Sequence, residues 1–281
     1  MNRASWIIDG QPAENIPAAD RGLQFGDGVF ETLFAVDGTL PWLEAHHQRL
    51  ESGCRRLGIL PPDLTKLRGD LEQLALPKGL AVVKILVTAG SGGRGYARPE
   101  APTHSRILGL FPFPERPARF TVKWCHQRLA RQPVLAGIKH LNRLEQVLAR
   151  RELVGSAADE GLVLDTQEQV IEAIAANLFL VRDGTLITPA LDHAGVAGIM
   201  RERILETAEK LGIACWRGPV SQADVLAAEE CFLSNCLIGV RPVTRLQAST
   251  RDAMEGDREW EVGPVTKLLR DETPWPPGEV R

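Results

Sequence analysis

The chain has 281 residues, 44% of them hydrophobic and 25% charged, with a net charge of -3. That length suits one large core or two moderate domains, and the balance is that of an ordinary globular protein. The weak negative charge gives no reason to expect nucleic acid or an anionic membrane surface as partner, and no apolar run reaches the roughly 18 residues that span a bilayer.

Three Asp-Gly pairs, Asp9-Gly10, Asp37-Gly38 and Asp183-Gly184, stand between short apolar runs. Both residue types tolerate positive φ, so each pair predicts a tight hairpin. Val29 to Val36 reads as a strand, followed by a helix over Glu44 to Leu57 with Leu43, Leu50, Cys54 and Leu57 near one face. Leu64 to Leu76 predicts a second helix, Leu80 to Thr88 a buried strand, and Arg106 to Phe111 another strand. Ser91 to Tyr96 is a glycine loop. Phe111-Pro112-Phe113-Pro114-Glu115-Arg116-Pro117 is stiff and unsuited to a sheet interior, which makes it the predicted linker.

Beyond it, Phe120 to Cys125 begins a second unit, and Leu141 to Leu153 predicts a helix with Leu144, Val147, Leu148 and Arg151 at helical spacing. Gly161 to Leu164, Val170 to Ala173 and Asn177 to Val181 read as strands, and Gly198 to Leu211 as a helix. Ser221 with Asp224 resembles a helix start. Cys231 to Ser234 and Gly239 to Leu246 enclose an asparagine turn, and Gly263 to Leu269 suggests a last helix. Strands and helices interleave without regular βαβ spacing, which predicts an α+β protein. Its expected domains are residues 1–110 and 118–281, joined by the linker 111–117.

Few residues have the setting that chemistry needs. Cys54, Cys125, Cys215, Cys231 and Cys236 are odd in number and lack a Cys-x-x-Cys pair, against a disulfide framework or a structural zinc site. The six histidines show no metal spacing, and no Gly-x-Ser-x-Gly elbow supports a serine hydrolase. Met1 to Gly10 carries no apolar signal segment, so a cytoplasmic location is the expectation.

Lys139, in Gly137-Ile138-Lys139-His140-Leu141-Asn142-Arg143, is the leading candidate. Val134, Leu135, Ile138, Leu141 and Leu144 surround it in sequence, and burial of its stem would supply a nucleophilic amine. A plain surface lysine ahead of a helix is the competing interpretation. Glu172 stands in the apolar strand Val170-Ile171-Glu172-Ala173, where a carboxylate is costly unless paired; a protonated pyridine nitrogen would pair it, and so would solvent on an open strand face. Asn177 either orients that neighbourhood or finishes a strand.

Gly195-Val196-Ala197-Gly198-Ile199-Met200 runs into a helix, whose N-terminal amides favour an anion, although glycine there also serves plain turns. Ser234-Asn235 offers a hydroxyl and turn amides after an apolar strand. Arg49 lies off its helix's apolar stripe, where it either reaches a phosphate or is solvated. Arg94, in Gly92-Gly93-Arg94-Gly95-Tyr96, presents a guanidinium fork suited to a carboxylate.

In this order the pieces resemble the class IV pyridoxal-phosphate enzymes, a family with branched-chain and D-amino acid aminotransferases and 4-amino-4-deoxychorismate lyase. The resemblance covers nearly the whole chain, from Asp20-Arg21-Gly22-Leu23-Gln24-Phe25-Gly26-Asp27-Gly28-Val29-Phe30-Glu31-Thr32 to Phe232-Leu233-Ser234-Asn235. Gly92 to Tyr96, Lys139 to Arg150 and Ser234 to Val243 are most similar to the lyase branch. Aminotransferases of the family commonly carry a tyrosine shortly after the lysine; this chain has Asn142-Arg143-Leu144.

The resemblance implies a two-domain fold-type IV enzyme, similar to D-amino acid aminotransferase, with pyridoxal 5'-phosphate as cofactor. It implies that Lys139 attaches the cofactor and moves protons, and that Glu172 pairs with the ring nitrogen near Asn177. Arg49, Ser234, Asn235 and the amides of Gly198, Ile199 and Met200 would hold the phosphate. Independently of the resemblance, the arginine-bearing glycine loop makes Arg94 the expected contact to a carboxylate of a small anionic substrate. The expected activity is a carbon–oxygen lyase converting 4-amino-4-deoxychorismate to 4-aminobenzoate and pyruvate for folate synthesis. Members are typically homodimers. An aminotransferase for branched-chain or D-amino acids, and a non-catalytic binding protein, are the competing functions.

Overall fold

The computed structural model describes residues 5–100, 103–247 and 257–275. Contacts divide the chain into two compact units, one running to Glu115 with Ile138–Asn142 added, the other comprising Arg116–Gly137 and the chain from Arg143 onward.

The first unit contains β1 (Ser5–Ile8), β2 (Gln11–Pro12), α1 (Arg21–Phe25), β3 (Gly28–Val36), α2 (Leu43–Arg56), α3 (Leu64–Glu72), β4 (Leu80–Thr88) and β5 (Ser105–Pro112). Among the described residues its sheet is antiparallel, in the order β2-β1-β5-β4-β3. The Asp-Gly pairs make the expected turns: Asp9 and Gly10 have φ 48 and 82, and Asp37 and Gly38 have φ 48 and 77. Positive φ at both positions suits the twist of the β1–β2 hairpin across Asp9-Gly10, while Asp37-Gly38 turns the chain between Val36 and Thr39, which form an isolated bridge ahead of α2. Alternate residues of the strands, Leu33 and Ala35, Val83 and Ile85, meet Leu50, Cys54, Leu67 and Leu71 of the helices in one core, which also takes in Ile138. Each such leucine or isoleucine contributes about 1.5–3 kcal/mol by leaving water.

Two expectations change here. β5 continues through Phe111 and Pro112 of the predicted linker, with Pro112 opposite Ala81. Among the described residues the pairing with β1 runs as far as Leu110 opposite Ser5, and Pro112 pairs on the β4 side. The helix predicted to reach Leu76 stops at Glu72, because Ala75 has φ 47 and the chain turns into Pro77.

The second unit contains β6 (Phe120–Leu129), α4 (Leu144–Arg151), β7 (Glu160–Asp165), β8 (Val170–Ala173), β9 (Asn177–Arg182), β10 (Thr185–Pro189), α5 (Ile199–Lys210), β11 (Cys215–Gly218), α6 (Gln222–Ala227), β12 (Glu230–Asn235), β13 (Gly239–Gln247), β14 (Arg258–Glu259) and α7 (Pro264–Glu272). Among the described residues its mixed sheet runs β11-β10-β9-β12-β13-β6-β7-β8, with β14 on β13. Asp183 and Gly184, φ 50 and 69, close the β9–β10 hairpin. Val122, Trp124, Leu162, Leu178, Leu180, Leu233 and Val243 belong to its main core.

The helix predicted from Leu141 forms only over Leu144–Arg151, and two of its periodic residues, Leu144 and Val147, are 69% and 54% exposed. Ala149 faces the interior instead, against Cys125, Leu153 and Val163. Periodicity reveals an apolar stripe but not what covers it. Among the described residues no helix is long and apolar enough to cross a membrane.

Candidate active site

The predicted site residues fall on both units. In the first, Lys139 lies in an extended segment beside β3: Phe30 N donates to its carbonyl at 2.9 Å, Leu141 N donates to Gly28 O at 2.9 Å, and Val29 bridges His140. The lysine is therefore fixed by strand-like bonds, and α4 begins five residues later. Its ammonium nitrogen lies 4.3 Å from the centroid of the Phe30 ring, with Lys84 5.3 Å from the same centroid. Of the apolar neighbours predicted from sequence, Ile138 is buried but Val134 and Leu144 are exposed. Phe30, across the strand pairing, takes their place; sequence adjacency missed it because the contact is long-range.

Glu31, the next residue along β3, faces the opposite way. Its carboxylate is buried against α2, where Arg49 Nε donates to Oε1 at 2.8 Å and His46 Nδ1 lies 2.7 Å from Oε2. Burial would raise this carboxyl, but Arg49 and then His46 outweigh it and bring it down to about 2. Arg49 is thus held at one end rather than solvated. Glu31 and His46 were not singled out from the sequence, yet the signal was there. A carboxylate inside an apolar strand requires a partner, and His46 and Arg49, three apart, share one helical face.

Arg94 is exposed and has no hydrogen-bond acceptor among the described residues. The glycine loop around it is tied by its flanks to Arg21, Asp27 and Arg98.

In the second unit the predicted residues converge on the turn ahead of α5. Glu172, buried, accepts from Val196 N at 2.9 Å, while Asn177 Nδ2 donates to Val196 O at 2.9 Å. The carboxylate therefore lies inside the protein and not on a solvated strand face. Gly195 has φ 84, and a side chain at Gly198 would place Cβ 2.0 Å from Asn177 Oδ1, so both glycines are required by this packing. Gly137 joins the same turn, donating to Gly195 O at 2.9 Å and accepting from Ala197 N at 3.1 Å. Gly198 caps α5, and Ile199 and Met200 form its first turn.

Ser234 pairs with Asn177 in the β12–β9 register. Its Oγ is fully buried and has no partner among the described residues. Asn235 is already engaged: Oδ1 accepts from Leu237 N at 2.8 Å and Ile238 N at 2.9 Å, and Nδ2 donates to Ala175 O at 2.9 Å. Its side chain shapes the turn, leaving backbone groups to meet a ligand.

Residues 28–246 match the family model for amino-transferase class IV. The aminodeoxychorismate lyase of Vibrio harveyi is 35% identical over 94% of this chain and 97% of its own length. The crystal structure of 4-amino-4-deoxychorismate lyase from Pseudomonas aeruginosa superposes with a TM-score of 0.86 at 45% identity, covering 95% of this chain and 97% of that one. D-alanine aminotransferase of Listeria monocytogenes serotype 4b is 28% identical over 89% of this chain and 86% of its own length.

Proposed function

This chain belongs to the amino-transferase class IV family, and on that premise we propose that it is a pyridoxal-phosphate-dependent aminodeoxychorismate lyase. The reaction converts 4-amino-4-deoxychorismate to 4-aminobenzoate and pyruvate. The observation that carries the choice over a transaminase is the whole-length likeness to two lyases, at identities above that to the D-alanine enzyme.

Two features of the second unit support the fit to the cofactor. A glycine-lined turn opens the N-terminus of α5, and Ser234 presents a buried hydroxyl without a partner among the described residues. Both suit a phosphate, which the helix end favours electrostatically. When bound, pyridoxal 5'-phosphate supplies an electron-accepting ring that stabilises negative charge on the carbon beside the substrate nitrogen. Lys139 provides the attaching amine and then the base for the proton on that carbon. Glu172 is the carboxylate for the ring nitrogen, oriented by Val196 N–H, with Asn177 holding the other side of that peptide. Arg49 assists with the phosphate, and Arg94 binds a substrate carboxylate.

Loss of the proton and cleavage of the bond to the enolpyruvyl oxygen leave an aromatic ring, so the elimination needs no oxidant. The homodimer expected of such an enzyme is part of this reading, and Leu144, Val147 and Val154 are exposed apolar side chains it could cover. Free thiols at all five cysteines suit the reducing cytoplasm.

The test supplies 4-amino-4-deoxychorismate to cofactor-loaded protein and follows both products. Equal release of pyruvate and 4-aminobenzoate is expected. Neither product, together with amino-acid-dependent conversion of the cofactor to its amine form, would select the transaminase instead. Borohydride should trap the cofactor on Lys139; trapping on another lysine overturns its role.

A further inference from the structure

The loop that carries Arg94 is held by a side chain 74 to 76 residues away in sequence. Arg21, 3% exposed, donates from Nη1 to Gly95 O at 3.0 Å and Ala97 O at 3.3 Å, and from Nη2 to Tyr96 O at 2.8 Å. Nε donates to Asp27 Oδ2 at 2.9 Å. A guanidinium has five N–H donors in a fixed fork, so anchoring Nε determines where the others point. Asp27 also takes Arg98, at 3.0 Å from Nε and 2.5 Å from Nη2, while Arg98 Nη1 donates to Leu57 O at 2.7 Å and Gly58 O at 2.8 Å. One carboxylate thus orients Arg21, which grips the carbonyls of the outgoing arm, and holds Arg98, which belongs to that arm and ties it to Leu57 and Gly58.

The incoming arm is held separately. Arg21 N donates to Gly90 O at 2.8 Å, and Gly92 N to Ala19 O at 3.1 Å. A Cβ at Gly92 would reach 3.0 Å from Arg21 Cδ, so the glycine lets the loop lie on the clamp. Between the arms only Gly93 and Arg94 project, and no atom lies within 4 Å of where a Cβ would stand on Gly93 or Gly95. The charges of Arg21 and Arg98 are answered by Asp27 and by carbonyls, whereas Arg94 has no acceptor among the described residues. The arrangement holds the loop's backbone and leaves one cation to meet an incoming anion.

We propose that Asp27 is a positioning residue for substrate: through Arg21 and Arg98 it sets the bow of the loop so that Arg94 is offered to a carboxylate of the substrate. This rests on the assignment of Arg94 as a substrate contact. Because ordering the loop beforehand lowers the cost of binding and not the barrier to reaction, the effect belongs in KM.

The test compares Asp27→Asn, Arg94→Ala and the double variant, all as full-length cofactor-loaded protein with 4-amino-4-deoxychorismate. Asp27→Asn should raise KM about tenfold with kcat changed less than about twofold, the pattern of lost uniform binding. Asp27→Glu should recover part of the loss, and the cofactor absorbance should be unchanged. Amide exchange over residues 90–98 should quicken. In the Arg94→Ala background Asp27→Asn should add nothing, since the cation it positions is gone. Raised KM in Arg94→Ala with unchanged KM in Asp27→Asn overturns the clamp alone. Raised KM in Asp27→Asn with unchanged KM in Arg94→Ala overturns the Arg94 assignment and the presentation built on it. Should Asp27→Asn fail to fold, Arg98→Ala, which leaves Arg21 paired with Asp27, is read by the same KM criterion.

Discussion

Glu31 grips Arg49 along one edge of its guanidinium, with Nε 2.8 Å from Oε1 and Nη2 2.5 Å from Oε2. The bidentate geometry fixes the plane of the arginine, and the carboxylate is 1% exposed. Replacing Glu31 by Gln leaves a partly buried cation without its counter-charge. We predict a loss of about 3–5 kcal/mol in unfolding free energy at pH 7, measured by urea titration, together with weaker cofactor retention. Acid should narrow the difference. The carboxyl is depressed from 4.5 to about 2, so its contribution is complete above 4.5 and is lost as pH falls through 2. A variant as stable as the parent at pH 7 would sink the claim.

Glu160 shows the opposite sign. Burial pushes its carboxyl up from 4.5 to about 7, against the smaller pull of Gly161 N–H and Arg150. Its neutral form is the comfortable one, so its contribution is complete below 4.5 and disappears as pH rises through 7. Glu160→Gln should therefore gain about 1–3 kcal/mol over the parent at pH 8 and little at pH 4. Parallel stability curves for the two proteins across that range would contradict the assignment.

Ser234→Ala separates a ligand role from a structural one. The hydroxyl gives up no bond within the described protein, so unfolding free energy without cofactor should change by less than about 1 kcal/mol. Cofactor affinity should fall roughly 5–30-fold, the loss of one good hydrogen bond to an anion. Equilibrium titration of cofactor into both proteins decides; unchanged affinity removes Ser234 from the phosphate site.

Glu172→Gln keeps one oxygen acceptor for Val196 N–H, 2.9 Å away in the parent, and exchanges the charge and the second oxygen for a neutral amide group. The turn before α5 should persist and stability should shift by less than about 1 kcal/mol. Turnover should fall more than about a hundredfold, because a neutral amide cannot keep the ring nitrogen cationic. Retained turnover would assign Glu172 to the architecture of the turn.

Local chemistry was legible from residues alone. The three Asp-Gly turns and the strands around them depend on neighbours a few positions apart, and φ preferences act at that range. The interior carboxylate Glu172 was legible for a similar reason, since an apolar strand leaves a charge in need of a partner. What the partner would be was not. Val196 N–H on Glu172, the Phe30 ring beside Lys139 and the pairing of Asp27 with Arg98 join segments far apart in sequence that only chain folding brings together. Likewise the stripe on α4 was visible as a pattern, but its exposure was decided by Ala149 taking the inward position. Short-range sterics and hydrophobic periodicity are written residue by residue; directional polar contacts depend on where distant backbones cross, and the fold alone sets that.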